Sequence, residues 1–314
     1  MNLLTVIIPC YNEEKVLPLF YARITEVAEK MKELADFEFI FVDDGSTDNT
    51  LFYLKEIEKH DDRVNNVQLS RNFGKEAAIY AGLQHSRGNY VALIDADLQN
   101  PPEMILDMYK GITEEGYDCV ATRRITRDGE PPIRSFFARK FYRIFNKIST
   151  ADVVDGAFDY RLMTRQMVDI VLEMKENNRF TKGIFGWIGF KTKWLEFENV
   201  KRAAGESKWS FWALFKYAVE GIVDFSITPL FLSMILGVIF LSISIIALIV
   251  QLIHYVCTGS IASNMALILS TICLIGGLQF FCIGILGEYT GRTYIESKRR
   301  PIYIEKKDGR NYEK

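Results

Sequence analysis

Charge is missing from one long stretch of this chain: between Phe225 and Gly287 there is no Asp, Glu, Lys or Arg, and His254 is the one titratable side chain of note there. Soluble helices of such length carry a polar face, so a pair of ordinary core helices is set aside. A basic segment before residues 3–8 is missing too, so a signal peptide is not expected; that short β-branched run reads as a first strand. The five cysteines, Cys10, Cys119, Cys257, Cys273 and Cys282, form no CxxC pair. That argues against a structural zinc and for a reduced compartment. Internal repeats and low-complexity tracts are also lacking.

What fills the uncharged stretch is apolar. Two runs, residues 227–255 and 265–286, each exceed the roughly 20 residues a membrane-crossing helix needs. A short polar break, Cys257-Thr258-Gly259-Ser260, separates them. Lys201, Arg202, Lys208 and Lys216 precede the first run, and Arg292, Lys298, Arg299 and Arg300 follow the second. The connecting loop has no basic residue, so both termini are expected in the cytoplasm. The net charge of −2 divides unevenly: residues 1–224 carry 30 basic and 35 acidic groups, and residues 288–314 carry 8 and 5. The tail is therefore mildly basic, as suits an anionic leaflet. Trp209, Phe211, Trp212, Phe215 and Tyr217, flanked by Lys208 and Lys216, fit an interfacial helix or one packed on a preceding domain.

The first half alternates β-branched runs with helical stretches, the pattern of an α/β domain with a mainly parallel sheet. Residues 4–9, 37–42, 66–70, 90–95 and 118–121 are expected strands, with helices over 14–32, 50–59, 75–84 and 102–115. Beyond residue 122 the regularity fades, with a further helix expected over 136–147. Four segments follow: a cytoplasmic catalytic domain at 1–208, a juxtamembrane helix at 209–225, two transmembrane helices within 226–287 and a cytoplasmic tail at 288–314.

Sheets of this kind bind ligands at the carboxyl ends of their strands. Three such ends carry polar clusters. Asp95-Ala96-Asp97-Leu98-Gln99 follows an apolar strand, where two carboxylates and an amide oxygen can hold a divalent metal against a diphosphate. Asp43-Asp44-Gly45-Ser46 ends another strand; its carboxylates suit a base or ribose, or an ordinary turn that caps the next helix. Pro9-Cys10-Tyr11-Asn12-Glu13-Glu14 closes the first. Farther on, Arg123, Arg124, Arg127, Arg134, Arg139, Lys140, Arg143 and Lys147 crowd one stretch. Arg202-x-x-Gly205-x-Ser207-Lys208 forms a second basic set, fit to hold a phosphate or to flank a membrane span.

These clusters, in this order and spacing, resemble glycosyltransferase family 2 enzymes of the GT-A (Rossmann-like) fold. More narrowly they resemble the polyprenyl-phosphate glycosyltransferases, the group of dolichol-phosphate mannose synthases and bactoprenol glucosyltransferases. The resemblance spans nearly the whole chain, including Arg71-Asn72-Phe73-Gly74-Lys75, Arg161-Leu162-Met163, Asn178-Arg179-Phe180 and Ala204-Gly205-Glu206-Ser207-Lys208. It implies that Pro9, Tyr11, Glu13, Asp43 and Lys75 line a nucleotide-sugar pocket, although Lys75 also reads as a first-turn surface residue. It implies that Asp95, Asp97 and Gln99 serve Mg²⁺ or Mn²⁺ and the diphosphate. Arg123, Arg134 and Arg139, with Arg202, Ser207 and Lys208, would hold a lipid phosphate. Asp155 and Asp159 fall where related enzymes place a catalytic acid; Asp155 joins Asp95 and Asp97 as the expected catalytic set.

The expected reaction is inverting transfer from a nucleotide-sugar, UDP-glucose first, UDP-N-acetylglucosamine or GDP-mannose next, to undecaprenyl phosphate at the cytoplasmic face of the plasma membrane. A phosphate monoester is already ionised at neutral pH, so its attack needs little general base. Gly276-Gly277, Gly284 and Gly287 offer small surfaces for helix packing, and the resemblance suggests a tetramer. A nucleic-acid partner is not expected. A processive polysaccharide synthase would need a QxxRW motif and more spans, and a non-enzymatic scaffold would leave the three polar clusters without a role.

Overall fold

A computed structural model of the chain describes residues 1–124, 140, 143, 145–197, 222–259 and 265–306. The chain divides into two units, one comprising Met1–Gly221 with Pro301–Lys314 and the other Ile222–Arg300. The tail thus belongs to the same unit as the N-terminal part.

The first unit is built on a seven-stranded sheet. In chain order its elements are β1 (Asn2–Cys10), α1 (Leu17–Lys30), β2 (Ala35–Asp43), α2 (Thr50–His60), β3 (Val64–Gln68), α3 (Lys75–His85) and β4 (Tyr90–Leu93). A 3₁₀ turn, Pro102–Met104, leads into α4 (Ile105–Thr113), followed by β5 (Cys119–Arg124), β6 (Ala157–Thr164), α5 (Arg165–Glu173), α6 (Thr181–Trp187) and β7 (Thr192–Phe197). The strand order is β3-β2-β1-β4-β6-β5-β7. β3, β2, β1 and β4 run parallel, while β6 is antiparallel to both β4 and β5.

The apolar runs explain the parallel half. Leu4, Val6, Ile7 and Ile8 of β1 and Phe39, Ile40, Phe41 and Val42 of β2 are fully buried, as strands covered on both faces require. Each strand is followed by a crossover helix whose apolar face packs back on the sheet: Leu17, Phe20 and Ile24 do so for α1. From β1 the order runs outward to β2 and β3 on one side, and β4 lies on the other. The reversal opens a crevice between the ends of β1 and β4.

The sheet is mainly parallel, as expected from the sequence, with β6 alone running against the other strands. β6 and β7 were not expected, because their residues do not alternate cleanly: Arg161 of β6 is buried, and only one β7 residue is. The expected helix over 136–147 and the juxtamembrane aromatic segment up to Gly221 lie largely outside the described residues.

A buried polar knot ties β1, β2 and the turn before β4. The Thr5 hydroxyl donates to Glu38 Oε2 at 2.6 Å and accepts the Gly88 amide at 2.9 Å. Glu38 also accepts Arg87 Nε at 2.7 Å. A Cβ on Gly88 would lie 2.6 Å from the Thr5 nitrogen, so the turn can approach the strand only as glycine.

The second unit holds α7 (Thr228–Thr258) and α8 (Met265–Ser297). Among the described residues, one segment, Leu274–Ser297, is long and apolar enough to cross a membrane by length and composition. The described apolar part of α7, Thr228–Phe240, is shorter. Large apolar side chains stand exposed on both helices, including Phe231, Ile235, Phe280 and Phe281. Polar contacts tie α8 to the segment just before α7: the Arg292 guanidinium pairs with Asp224, and the Tyr289 hydroxyl donates to the Ser226 carbonyl.

Replacing Thr5 by valine keeps the shape but takes one donor from Glu38, which retains Arg87, and strands the Gly88 N–H. Urea unfolding is expected to show a loss of about 1–3 kcal/mol with an unchanged m-value. No change in midpoint would show that the knot contributes nothing.

Candidate functional site

The loops after β1 and β2 are laced together by short polar side chains. The Asn12 amide donates to Ser46 Oγ at 3.0 Å, and Asn12 Oδ1 accepts the Thr47 amide at 2.8 Å. The Glu13 amide donates to Thr50 Oγ1 at 2.8 Å, and the Asn49 amide to Glu14 Oε2 at 3.0 Å. Asn12 holds φ 54°, a left-handed conformation that asparagine tolerates better than most residues.

The two adjacent carboxylates at the end of β2 have different tasks. Asp44 grips the next loop, taking the Phe73 amide on Oδ1 at 2.7 Å and the Gly74 amide on Oδ2 at 3.0 Å. Asp43 takes the Ser46 amide on Oδ1 at 3.2 Å, while its buried Oδ2 has no hydrogen-bond partner. Burial raises the pKa of both carboxyls. Gly45 lets these loops meet: at φ 68° its Cβ would lie 2.4 Å from the Arg71 carbonyl carbon.

At the end of β4 the chain turns through Asp95 and Asp97. Asp97 Oδ1 accepts the Gln99 amide at 3.1 Å, and between them Leu98 is held at φ 57°, strained for a branched-chain residue. The turn thus fixes the backbone around both carboxylates.

The centre of the site is Lys75, the first residue of α3. Its ammonium lies 2.7 Å from Asp95 Oδ1 and 2.5 Å from Asp159 Oδ2. Asp159 projects from β6, and Lys182, which donates to the Ala157 carbonyl at 2.9 Å, stands 4.0 Å from its other oxygen. Burial alone would raise the Asp159 carboxyl, but the Lys75 and Lys182 ammonium groups overcome it and hold it well below the usual carboxylate range. Burial pulls Lys75 down, and the Asp159 and Asp95 carboxylates reverse this and raise it. Beneath lies Glu76, which accepts the Thr181 amide at 3.1 Å and its hydroxyl; burial and Asp159 raise its pKa. The buried Arg161 guanidinium covers the Phe185 ring at 3.7 Å and bonds the Asp159 and Phe158 carbonyls.

Of the residues expected from the sequence, Pro9, Tyr11, Glu13, Asp43, Lys75, Asp95, Asp97 and Gln99 all fall at the ends of β1, β2 and β4 or at the start of α3. Asp155 is exposed before β6, and Asp159 is the carboxylate held against Lys75. What separates the two is where β6 begins: the strand starts at Ala157, so it carries Asp159 and leaves Asp155 before it. Arg123 pairs with Glu196 across β5 and β7, with Nε to Oε1 at 3.0 Å. Arg134, Arg139, Arg202, Ser207 and Lys208 lie outside the described residues.

Among the described residues no group of three acidic, His or Cys side chains forms a ready metal cage. Asp95 and Asp97 nevertheless suit a hard cation that takes only one or two carboxylates and completes its shell from substrate phosphates and water. The Lys75 ammonium already shows a cation seated against Asp95.

Lys75→Met is expected to lower stability at pH 7, and the gap to wild type should shrink as pH falls toward 4. Wild-type Asp159 has a depressed pKa, so its contribution is full above the unfolded value of about 3.9 and is lost only as pH falls through the lower folded value. Without the cation, burial raises that carboxyl, and acidification then favours the folded variant. Denaturant titrations at both pH values check this; a pH-independent gap would refute the ion cluster.

Comparison with known proteins agrees with this geometry. Residues 5–171 match glycosyl transferase family 2. CsbB of Bacillus subtilis (strain 168), a glycosyltransferase by name, is 41% identical over 97% of this chain and 92% of its own length. The prophage bactoprenol glucosyl transferase homolog of Escherichia coli (strain K12) is 36% identical over 97% and 98%, respectively. The bactoprenol glucosyl transferase of Shigella phage SfV is 37% identical over 97% and 98%. With a mixed sheet of the GT-A kind and carboxylates gathered at its switch point, the chain belongs to glycosyl transferase family 2 and is a glycosyltransferase.

Proposed function

We propose that this glycosyltransferase moves a sugar from a nucleotide-sugar, UDP-glucose first, onto a polyprenyl phosphate at the cytoplasmic face of a membrane. UDP-N-acetylglucosamine and GDP-mannose are the alternative donors. The observation that carries the reading is the seat of Lys75 between Asp95 and Asp159, which puts one cation between the end of β4 and β6. Full-length relatives named for bactoprenol glucosyl transfer support the lipid acceptor.

In this reading the loops after β1 and β2 hold the nucleoside. Pro9, Tyr11 and Glu13 line the pocket, and the unpartnered Asp43 Oδ2 accepts a donor from base or ribose, which removes its desolvation cost. Asp95, Asp97 and Gln99 hold Mg²⁺ or Mn²⁺, which when bound neutralises the departing diphosphate. Lys75 adds a fixed positive charge beside the same oxygens and releases Asp159 to bind the sugar hydroxyls. The acceptor phosphate, already ionised, attacks the anomeric carbon in line and inverts it. Arg123, Arg134, Arg139, Arg202, Ser207 and Lys208 hold that phosphate; Arg123 must exchange Glu196 for it. The exposed apolar faces of α7 and α8 supply two membrane spans and, through their glycines, contacts for a tetramer in the plasma membrane.

Purified protein with Mn²⁺ and a panel of radiolabelled nucleotide-sugars should label undecaprenyl phosphate. Asp97→Ala should abolish this while leaving the melting temperature within about 3 °C of wild type. Asp159→Asn should lower kcat at least about 100-fold and Asp155→Asn less than about threefold. Equal effects of the last two would show that Asp159 has no special place, and an active Asp97→Ala enzyme would refute the metal assignment.

A further inference from the structure

The chain leaves α8 at Ser297 and re-enters the first unit at Pro301. There it lies antiparallel along the free edge of the sheet, beyond the end of β3. Leu69 and Glu305 face each other; the Ser70 amide donates to the Ile304 carbonyl and the Lys306 amide to the Gln68 carbonyl, both at 2.8 Å. On its other side the Leu69 amide donates to the Asp43 carbonyl at 2.9 Å. The segment that leads to Lys75 is thus held from both sides, by β2 and by the tail. From Ser70 the loop continues directly to Phe73 and Gly74, whose amides Asp44 grips, and then to Lys75.

Side chains reinforce the backbone. The Tyr303 ring meets the Tyr80 ring of α3 edge-on, with centroids 6.5 Å apart. The Arg179 guanidinium lies over the same Tyr80 ring at 4.5 Å. Glu305 stands 3.4 Å from His85 at the far end of α3. The tail therefore touches α3 at Tyr80 and His85 and the loop before it at Ser70.

We propose that residues 302–306 are a strap that positions the loop 70–74 and the start of α3, and that Tyr303 is a positioning residue for nucleotide-sugar binding. The strap acts through Asp44, Gly45 and Lys75, with no contact to substrate of its own. Its effect on donor binding rests on the proposed function; its hold on the loop does not.

The test uses the full-length protein in detergent. Lys306→Pro removes the amide that bonds Gln68, and Tyr303→Ala removes the ring from Tyr80; Tyr303→Phe keeps the ring. In hydrogen exchange, peptides covering residues 70–74 should exchange about tenfold faster in Lys306→Pro and Tyr303→Ala, with peptides of β5 and β6 unchanged and Tyr303→Phe like wild type. The donor KM should rise at least about fivefold in the first two variants, with kcat within about twofold. Unaltered exchange over 70–74, or acceleration spread evenly over the sheet, would overturn the strap. An unchanged donor KM despite faster local exchange would overturn the role of Tyr303 in donor binding. A wild-type protein that transfers no sugar would refute the proposed function while leaving the exchange comparison decisive.

Discussion

One ammonium group organises this site. Lys75 stands between Asp95 and Asp159, carboxylates from strands that are adjacent in the sheet but more than sixty residues apart in the chain. Two carboxylates brought so close would repel each other and drive one to protonate. The lysine removes that conflict, and it does so from the first turn of a helix whose preceding loop is fixed by Asp44, by Gly45 and by the tail. Loosening any of these supports would move the charge on which the carboxylates depend.

The sheet explains why the supports exist. At the switch point between β1 and β4 the strand ends diverge, and loops must cross open space without a ladder to hold them. Short polar residues take the place of that ladder: the side chains of Asn12, Ser46, Asp48 and Thr50 accept the backbone amides of Thr47, Asn12, Thr50 and Glu13. Strained backbone gathers here too, at Asn12 and Leu98. The one antiparallel strand has another role. β6 brings Asp159 to the opposite wall of the crevice, while buried Arg161 and Glu76 set the field beneath.

The second unit is simpler physics. Its helices expose phenylalanine and isoleucine, and the charged groups Asp224, Glu288 and Arg292 cluster toward one end. An ion pair and a tyrosine hydroxyl join α8 to the segment that leads into α7. The tail then returns to the first unit, so that unit is assembled from both ends of the chain.

Composition and order along the chain were enough to reveal the parallel half of the sheet, the three polar clusters and the uncharged stretch, because each depends on neighbours a few residues apart. β1 and β2 announce themselves by unbroken apolar runs, and the DxD turn by its place after one. The residue pattern by itself could not separate Asp43 from Asp44, or Asp155 from Asp159, because what each carboxylate touches depends on which loop or strand lies across from it. Only the tertiary structure gave Asp44 to the 70–74 loop, left Asp43 with a free oxygen, put Asp159 against Lys75 and laid the tail along β3. Those are contacts between residues tens to hundreds of positions apart, and no local pattern encodes them.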